Sequence, residues 1–295
     1  MELFSSTIIP TVNRPSLACA VRSVLEQAFT VADFEVIVVN DSGQPLPDAD
    51  WQHSKRVRVI DTNRRERSVA RNTGAAIARG KYLHFLDDDD VLLPGALQVF
   101  WNLGCEHPNA AWLYGSYQTV DNEGNLIFEF HPQIQNNIFP LLVSGEAIPF
   151  QTSLVQTKYF YAVGGFDPTI TGVEDRDLGR RIAFRGTVAY APTVVAKIRI
   201  GERGSTTNWN ILAEDDRWGR EKALSMQGAF TRLWTAAVSS YWHGRVSRAY
   251  VASMVWNLQR KHIFIATGRA LAALVFAHWH IFTPGFWKGL RTKIN

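Results

Sequence analysis

The sequence predicts an α/β fold, with a mostly parallel central sheet flanked by helices and a helical extension at the C-terminus. Three observations carry this. Short apolar runs at residues 34–39, 57–60 and 82–86 each end in carboxylates or amides: Asn40-Asp41, Asp61 and Asp87-Asp88-Asp89-Asp90. Stretches of helical period lie between such runs, and strand–helix alternation of this kind gives parallel sheets. Residues 223–295 carry nine Lys or Arg and no Asp or Glu, leaving residues 1–222 with a net charge of −5. An acidic body with a basic tail implies two physical jobs.

Residues 3–9 read as the first strand, closed by Pro10. Asn13-Arg14-Pro15 reads as a helix start, a capping residue beside a Pro suited to the first turn. Leu17, Ala20, Val21, Val24, Leu25 and Ala28 then follow at helical spacing. Strands at 34–39 and 57–60, a helix at 68–79 stopped by Gly80, and a strand at 82–86 complete the first half. In open sheets of this type ligands bind at the carboxyl ends of the strands. Asp41, Asp61 and the run Asp87–Asp90 are therefore expected along one edge.

After Pro94 a helix is expected to about Gly104. Residues 112–120 and 126–130 read as a β-hairpin around Asp121-Asn122-Glu123-Gly124-Asn125. A short apolar helix at 135–144, a strand at 150–156 and a tight loop at 163–168 come next. A helix opening at Glu174-Asp175 and closing at Arg185-Gly186 precedes two short strands, 187–190 and 194–200. The segment 201–207 is polar and glycine-bearing.

Four consecutive carboxylates repel one another, so packing them in a compact domain calls for a cation. Mg²⁺ or Mn²⁺, which take oxygen ligands and bridge carboxylates to phosphates, are the expected partners. The plain alternative is a solvated acidic turn. Cys19 and Cys105 are the sole cysteines, with no CxxC or Cys/His spacing, which excludes a zinc site of the usual kind. The N-terminus lacks a basic region followed by a long apolar one, so a cytoplasmic protein is expected.

The motifs, taken in order, resemble the family 2 glycosyltransferases of the Rossmann-like GT-A fold. They are Ile8-Ile9-Pro10-Thr11-Val12-Asn13-Arg14-Pro15, Val39-Asn40-Asp41-Ser42-Gly43 and Ala70-Arg71-Asn72-Thr73-Gly74. Phe85-Leu86-Asp87-Asp88-Asp89-Asp90, Gly164-Gly165-Phe166-Asp167 and Glu174-Asp175-Arg176-Asp177-Leu178 follow. Each is weak alone; the ordered set is specific. The resemblance implies a catalytic domain over 1–207, with a nucleotide-sugar-binding half (1–92) and an acceptor and catalytic-base half (93–207).

It further implies roles position by position. Pro10, Thr11, Asn13 and Arg14 flank the nucleotide, and Asp41 accepts from the base edge. Arg71 and Asn72 lie near the base and diphosphate. Asp87 and Asp89 form the D-x-D pair that meets ribose and metal, with Asp88 between them. Asp175 is the catalytic base, with Glu174 beside it. The reaction implied is metal-dependent, inverting transfer from a nucleoside-diphosphate sugar, UDP-sugar favoured, to a saccharide or lipid-linked saccharide hydroxyl in polysaccharide or glycolipid biosynthesis. Many relatives carry a His in the segment matching 201–207; here Arg203 is the cation offered to the diphosphate.

The tail, 208–295, is basic and holds Trp234, Trp242, Trp256, Trp279 and Trp287. Residues 263–282 are nearly all apolar, but Gly268 and Arg269 interrupt them, which weighs against a membrane span. A segment lying in the plane of a membrane surface fits better, at the inner face of the plasma membrane. The rival reading is packing on the catalytic domain or in a homodimer. Nucleic acid is not expected, because the tail is apolar and carries no nucleic-acid motif. Two other functions compete with sugar transfer. A nucleotidyltransferase would need a Gly- and Lys-rich phosphate loop, and residues 8–16 have neither. A catalytically silent sugar-nucleotide-binding scaffold is disfavoured by intact Asp87, Asp89 and Asp175.

Overall fold

A computed structural model describes residues 3–63, 66–200 and 209–292. Strand β1 (Leu3–Thr11), helix α1 (Leu17–Leu25), β2 (Asp33–Asn40), β3 (Val57–Asp61), α2 (Arg67–Ile77) and β4 (Gly80–Phe85) form the first half. Its strands run parallel in the order β3-β2-β1-β4. Apolar side chains alternate across β1 and β2. Ile8, Ile37 and Val39 enter one core layer, while Ile9, Val36 and Val38 enter the other. A strand covered on both faces needs this unbroken apolar run.

The register sets the site. Thr11 pairs with Asn40 and Asn40 with Asp61, so these strand ends finish level. The Leu86 amide donates to the Ile8 carbonyl at 3.1 Å and the Asp41 amide to the Thr11 carbonyl at 2.8 Å. The carboxylate run therefore emerges beside the loop that follows β1.

The second half contains β5 (Val91–Leu92), α3 (Ala96–Glu106), β6 (Trp112–Val120), β7 (Leu126–Phe130), α4 (Phe139–Val143), β8 (Ser153–Gln156), α5 (Thr157–Ala162), α6 (Glu174–Arg185) and β9 (Val188–Arg199). It extends the sheet as β4-β8-β6-β9-β5, with β7 also on β6. Beyond β4 the pairing is mixed, since β8 is antiparallel to both β4 and β6 while β9 is parallel to β6. One strand, β9, replaces the two expected at 187–190 and 194–200. A bulge joins them: Gly115 pairs with Ala191 but Ser116 with Val194. Pro192, which has no ladder donor, sits in that bulge. The expected helix at 135–144 shortens to Phe139–Val143, and the strand expected from 150 begins at Ser153 after a 3₁₀ turn.

Five helices follow: α7 (Trp209–Ser225), α8 (Ala229–Ala236), α9 (Ser240–Gln259), α10 (Ile263–Ala277) and α11 (Pro284–Arg291). Leu224, Leu233, Val246, Tyr250 and Phe276 from these helices join Leu142, Leu178 and Ile182 in a single apolar layer. Ion pairs reinforce the junction. Asp216 on α7 accepts from buried Arg180 on α6 at 2.6 Å, and Lys222 reaches Asp167 at 2.6 Å.

Candidate active site

The loop after β1 holds one side of the site. Thr11 is buried, and its hydroxyl donates to Asp88 at 2.6 Å. The Asn13 amide donates to the Thr11 hydroxyl at 2.9 Å, and Asn13 itself has a left-handed backbone with φ of 66°. It shapes the loop, while Ser16 occupies the cap position of α1. That turn places Arg14 over the acidic run, where its Nη1 donates to both Asp88 and Asp89 at 2.9 Å. Pro10 lies within β1 opposite Val39, and Asp41 at the end of β2 accepts from the Thr62 hydroxyl at 2.7 Å.

The four carboxylates separate by environment. Asp88 is buried and turned toward Thr11 and Arg14. Asp87 accepts from Arg71 at 2.6 Å and from the Gln151 amide at 2.8 Å. Asp90 is buried and accepts the Arg199 backbone amide at 2.8 Å. Oxygens of Asp87, Asp89 and Asp90 come within 4.8 Å of one another. Burial raises the pKa of Asp88, Asp89 and Asp90, and the charge of Asp87 adds to it. At Asp87 burial acts in the same direction, but Arg71 overcomes it and lowers the pKa. Three oxygen donors that repel one another in a partly dry site fit a hard divalent cation, Mn²⁺ or Mg²⁺.

Arg71 is the hub. It is buried, donates to Asp87 at 2.6 Å and to Glu174 at 2.8 Å, and lies 5.3 Å from the Phe166 ring centroid. Burial alone would lower its pKa; the charges of Asp87 and Glu174 more than offset this and keep it protonated. Glu174 is itself buried, and burial raises its pKa against the pull of Arg71. It is therefore an anchored group. Asp175, the next residue, is half-buried and accepts its neighbour's Arg176 amide at 2.7 Å.

Asn72 does structural work. Its side-chain amide donates to the Phe166 carbonyl at 2.8 Å and its oxygen accepts the Phe166 amide at 2.9 Å. This ties α2 to the Gly164-Gly165 turn. Gly165 has a φ of 69°, and a Cβ there would stand 2.7 Å from the Asn72 oxygen. The glycine is needed on both counts.

Arg71, Asp87, Glu174 and Asp175 meet in one cleft, joined by Arg67 and Gln151. Phe85, Phe150 and Phe166 form apolar wall, and the empty space is about 450 Å³ including the part that opens to solvent. That size suits a small ligand, and the mostly polar exposed lining suits a charged one. Gln151, Arg67 and Arg199 had no sequence signal, because none belongs to a spaced motif. His84 supports Gln151: its Nε2 donates to the Gln151 carbonyl at 2.9 Å and its Nδ1 accepts from Thr7 at 3.2 Å. Arg203 falls outside the described residues.

Comparison with known proteins gives a consistent result. Residues 6–152 match the model of glycosyl transferase family 2. An uncharacterized glycosyltransferase of Rickettsia bellii is 29% identical over 209 residues, covering 69% of this chain and 29% of that protein. The poly(ribitol-phosphate) beta-N-acetylglucosaminyltransferase TarP of Staphylococcus aureus is 34% identical over 128 residues, covering 41% of this chain and 38% of TarP. This chain spans 29–33% of the length of its relatives from Rickettsia bellii, Rickettsia felis and Rickettsia conorii, and 70% of one from Rickettsia prowazekii. The crystal structure of S. aureus TarS 1-349 in complex with UDP-GlcNAc superposes with a TM-score of 0.63 at 15% identity, covering 93% of this chain and 80% of that one. The fold is thus GT-A, with added C-terminal helices.

Proposed function

From the membership of residues 6–152 in glycosyl transferase family 2, we propose that this chain transfers a sugar from a UDP-sugar to a hydroxyl of a saccharide or lipid-linked saccharide. One observation carries the reading: Asp87, one member of the carboxylate cluster, and the half-buried Asp175 line the same cleft, and Arg71 bonds both Asp87 and Asp175's neighbour Glu174. The solved relative bound to UDP-GlcNAc and the N-acetylglucosaminyltransferase TarP make UDP-GlcNAc the first donor to test.

Asp175 takes the proton of the acceptor hydroxyl as that oxygen attacks the anomeric carbon. The diphosphate departs on the opposite side. Among the described residues the other carboxylates of the cleft, Asp87 and Glu174, are both held by Arg71, which leaves Asp175 as the base for a direct displacement that inverts the anomeric centre. Asp87, Asp89 and Asp90 would hold Mn²⁺ or Mg²⁺, which when bound supplies positive charge to the departing diphosphate. Arg14, part-exposed and bonded to Asp88 and Asp89, is proposed to pair with that diphosphate, and Arg203 for the same charge. Glu174, fixed by Arg71, orients the first turn of α6 so that Asp175 faces the cleft. A place on the cytoplasmic face of the plasma membrane would suit a lipid-linked acceptor.

Calorimetry with UDP-GlcNAc and other nucleotide sugars, with Mn²⁺ and with EDTA, tests the proposal. Binding that depends on the metal, together with UDP release on adding acceptor, is the expected result. Binding without turnover would leave a silent sugar-nucleotide-binding scaffold, and failure of every nucleotide sugar to bind would leave only a membrane-scaffold role.

A further inference from the structure

Helices α9 to α11 present an apolar surface that no other described residue covers. The segment Ile263–Phe282 has a mean hydropathy of 1.2 over an 18-residue window, yet only 22% of that window is buried. A core helix of this composition would be mostly enclosed. Here the inward stripe is narrow: Ala266, Arg269, Ala273 and Phe276 pack on the body. Phe264, Leu271 and Leu274 point outward on α10, followed by Trp279 and Phe282, and Phe264 is 96% and Phe282 84% exposed. Val255 and Leu258 on α9 and Trp287 on α11 are exposed as well.

Charge decides what covers it. Lys261 precedes α10, and Lys288 and Arg291 lie on α11; all three are exposed and make no ion pair among the described residues. The acidic groups that reach this region, Glu214 and Glu221, are already taken by Arg260 and Arg269. A second copy docking by the same face would set these cations against their own kind, since an isologous interface pairs a patch with itself. An anionic lipid surface complements them and accepts the apolar face.

A span is disfavoured by how α10 is tied down. Arg269 donates to Glu221 on α7 at 2.5 Å, the Ser247 hydroxyl donates to the Ala273 carbonyl at 3.0 Å, and His243 bonds the Phe276 carbonyl at 3.2 Å. Crossing a bilayer would break this ladder along the whole helix and strand a charged pair.

We infer that Phe264, Leu271, Leu274 and their neighbours on α9–α11 form an in-plane docking face for an anionic lipid surface, with Lys261, Lys288 and Arg291 meeting the headgroups. The test is pelleting of the full chain with vesicles of phosphatidylcholine alone and vesicles with about a third phosphatidylglycerol. The wild-type chain should pellet preferentially with the anionic vesicles, and salt should weaken this. The triple variant Phe264→Ser, Leu271→Gln, Leu274→Gln should bind both vesicles at least tenfold less. Lys261→Glu with Lys288→Glu should remove only the anionic preference. Wild-type chain left in the supernatant would overturn the inference. So would a pellet resisting alkaline carbonate, the mark of a span, or a wild-type dimer that the triple variant dissolves. Thermal melts and calorimetric donor binding of the variants are read separately, so failure here is distinct from failure of the sugar-transfer reading.

Discussion

Arg71 on α2 and Glu174 on α6 meet at 2.8 Å although 103 positions separate them. The same guanidinium holds Asp87 at 2.6 Å. One buried cation thus joins Asp87 of the acidic run to the turn that carries the proposed base. The two halves of the cleft cannot move apart without exposing an unpaired charge.

Replacing Arg71 by Met should therefore damage both stability and turnover. Removing one partner of a buried ion pair costs about 3–5 kcal/mol, because the other charge stays buried. Denaturant unfolding reads the stability loss. Arg71→Lys keeps the charge but cannot span two carboxylates, and should recover stability better than kcat.

Asp175→Asn should lower kcat by about 10²- to 10⁴-fold, the usual worth of a general base. Donor affinity, measured by calorimetry, should stay within a factor of two or so, because the proposed mechanism assigns Asp175 to the acceptor. Glu174→Gln should behave differently. It removes the partner of Arg71, so it should lower the melting temperature as well as the rate.

Acid should destabilise the fold through His84. Burial lowers its pKa from 6.5 to about 4, so between these values the unfolded chain binds more protons than the folded one. Stability is complete above pH 6.5 and is lost as pH falls toward 4, to a limit of about 3 kcal/mol from this group. Unfolding measured from pH 7 to 4.5 should show this limb, and His84→Leu should flatten it. Loss of the bond to the Gln151 carbonyl should also loosen the Gln151–Asp87 contact in that variant.

Gly165→Ala should cost roughly 2 kcal/mol, since alanine resists a left-handed backbone. Its methyl would press on the Asn72 oxygen. Asn72→Ala should give a comparable loss through the same turn. The combination should cost less than the sum of the two, because both break one contact.

The sequence by itself determined the strand–helix order, the level strand ends, the acidic run and the position of Asp175. These are local: apolar runs, period and adjacent carboxylates are written in neighbouring residues. Arg71 and Glu174 were singled out there too, but their bond to each other was not, since nothing in spacing links positions 103 apart. Only the tertiary structure decided that Asp88 turns away to Thr11 while Asp90 joins Asp87 and Asp89. It also decided that Gln151 and His84 support Asp87, and that the Asn72 amide is spent on Phe166. The tail shows the same division. Its charge and apolar content are legible in composition, whereas which face of α10 packs and which stays open depends on where α7 and α9 lie. Composition names what a chain can bury; the packing of distant segments decides what it does bury.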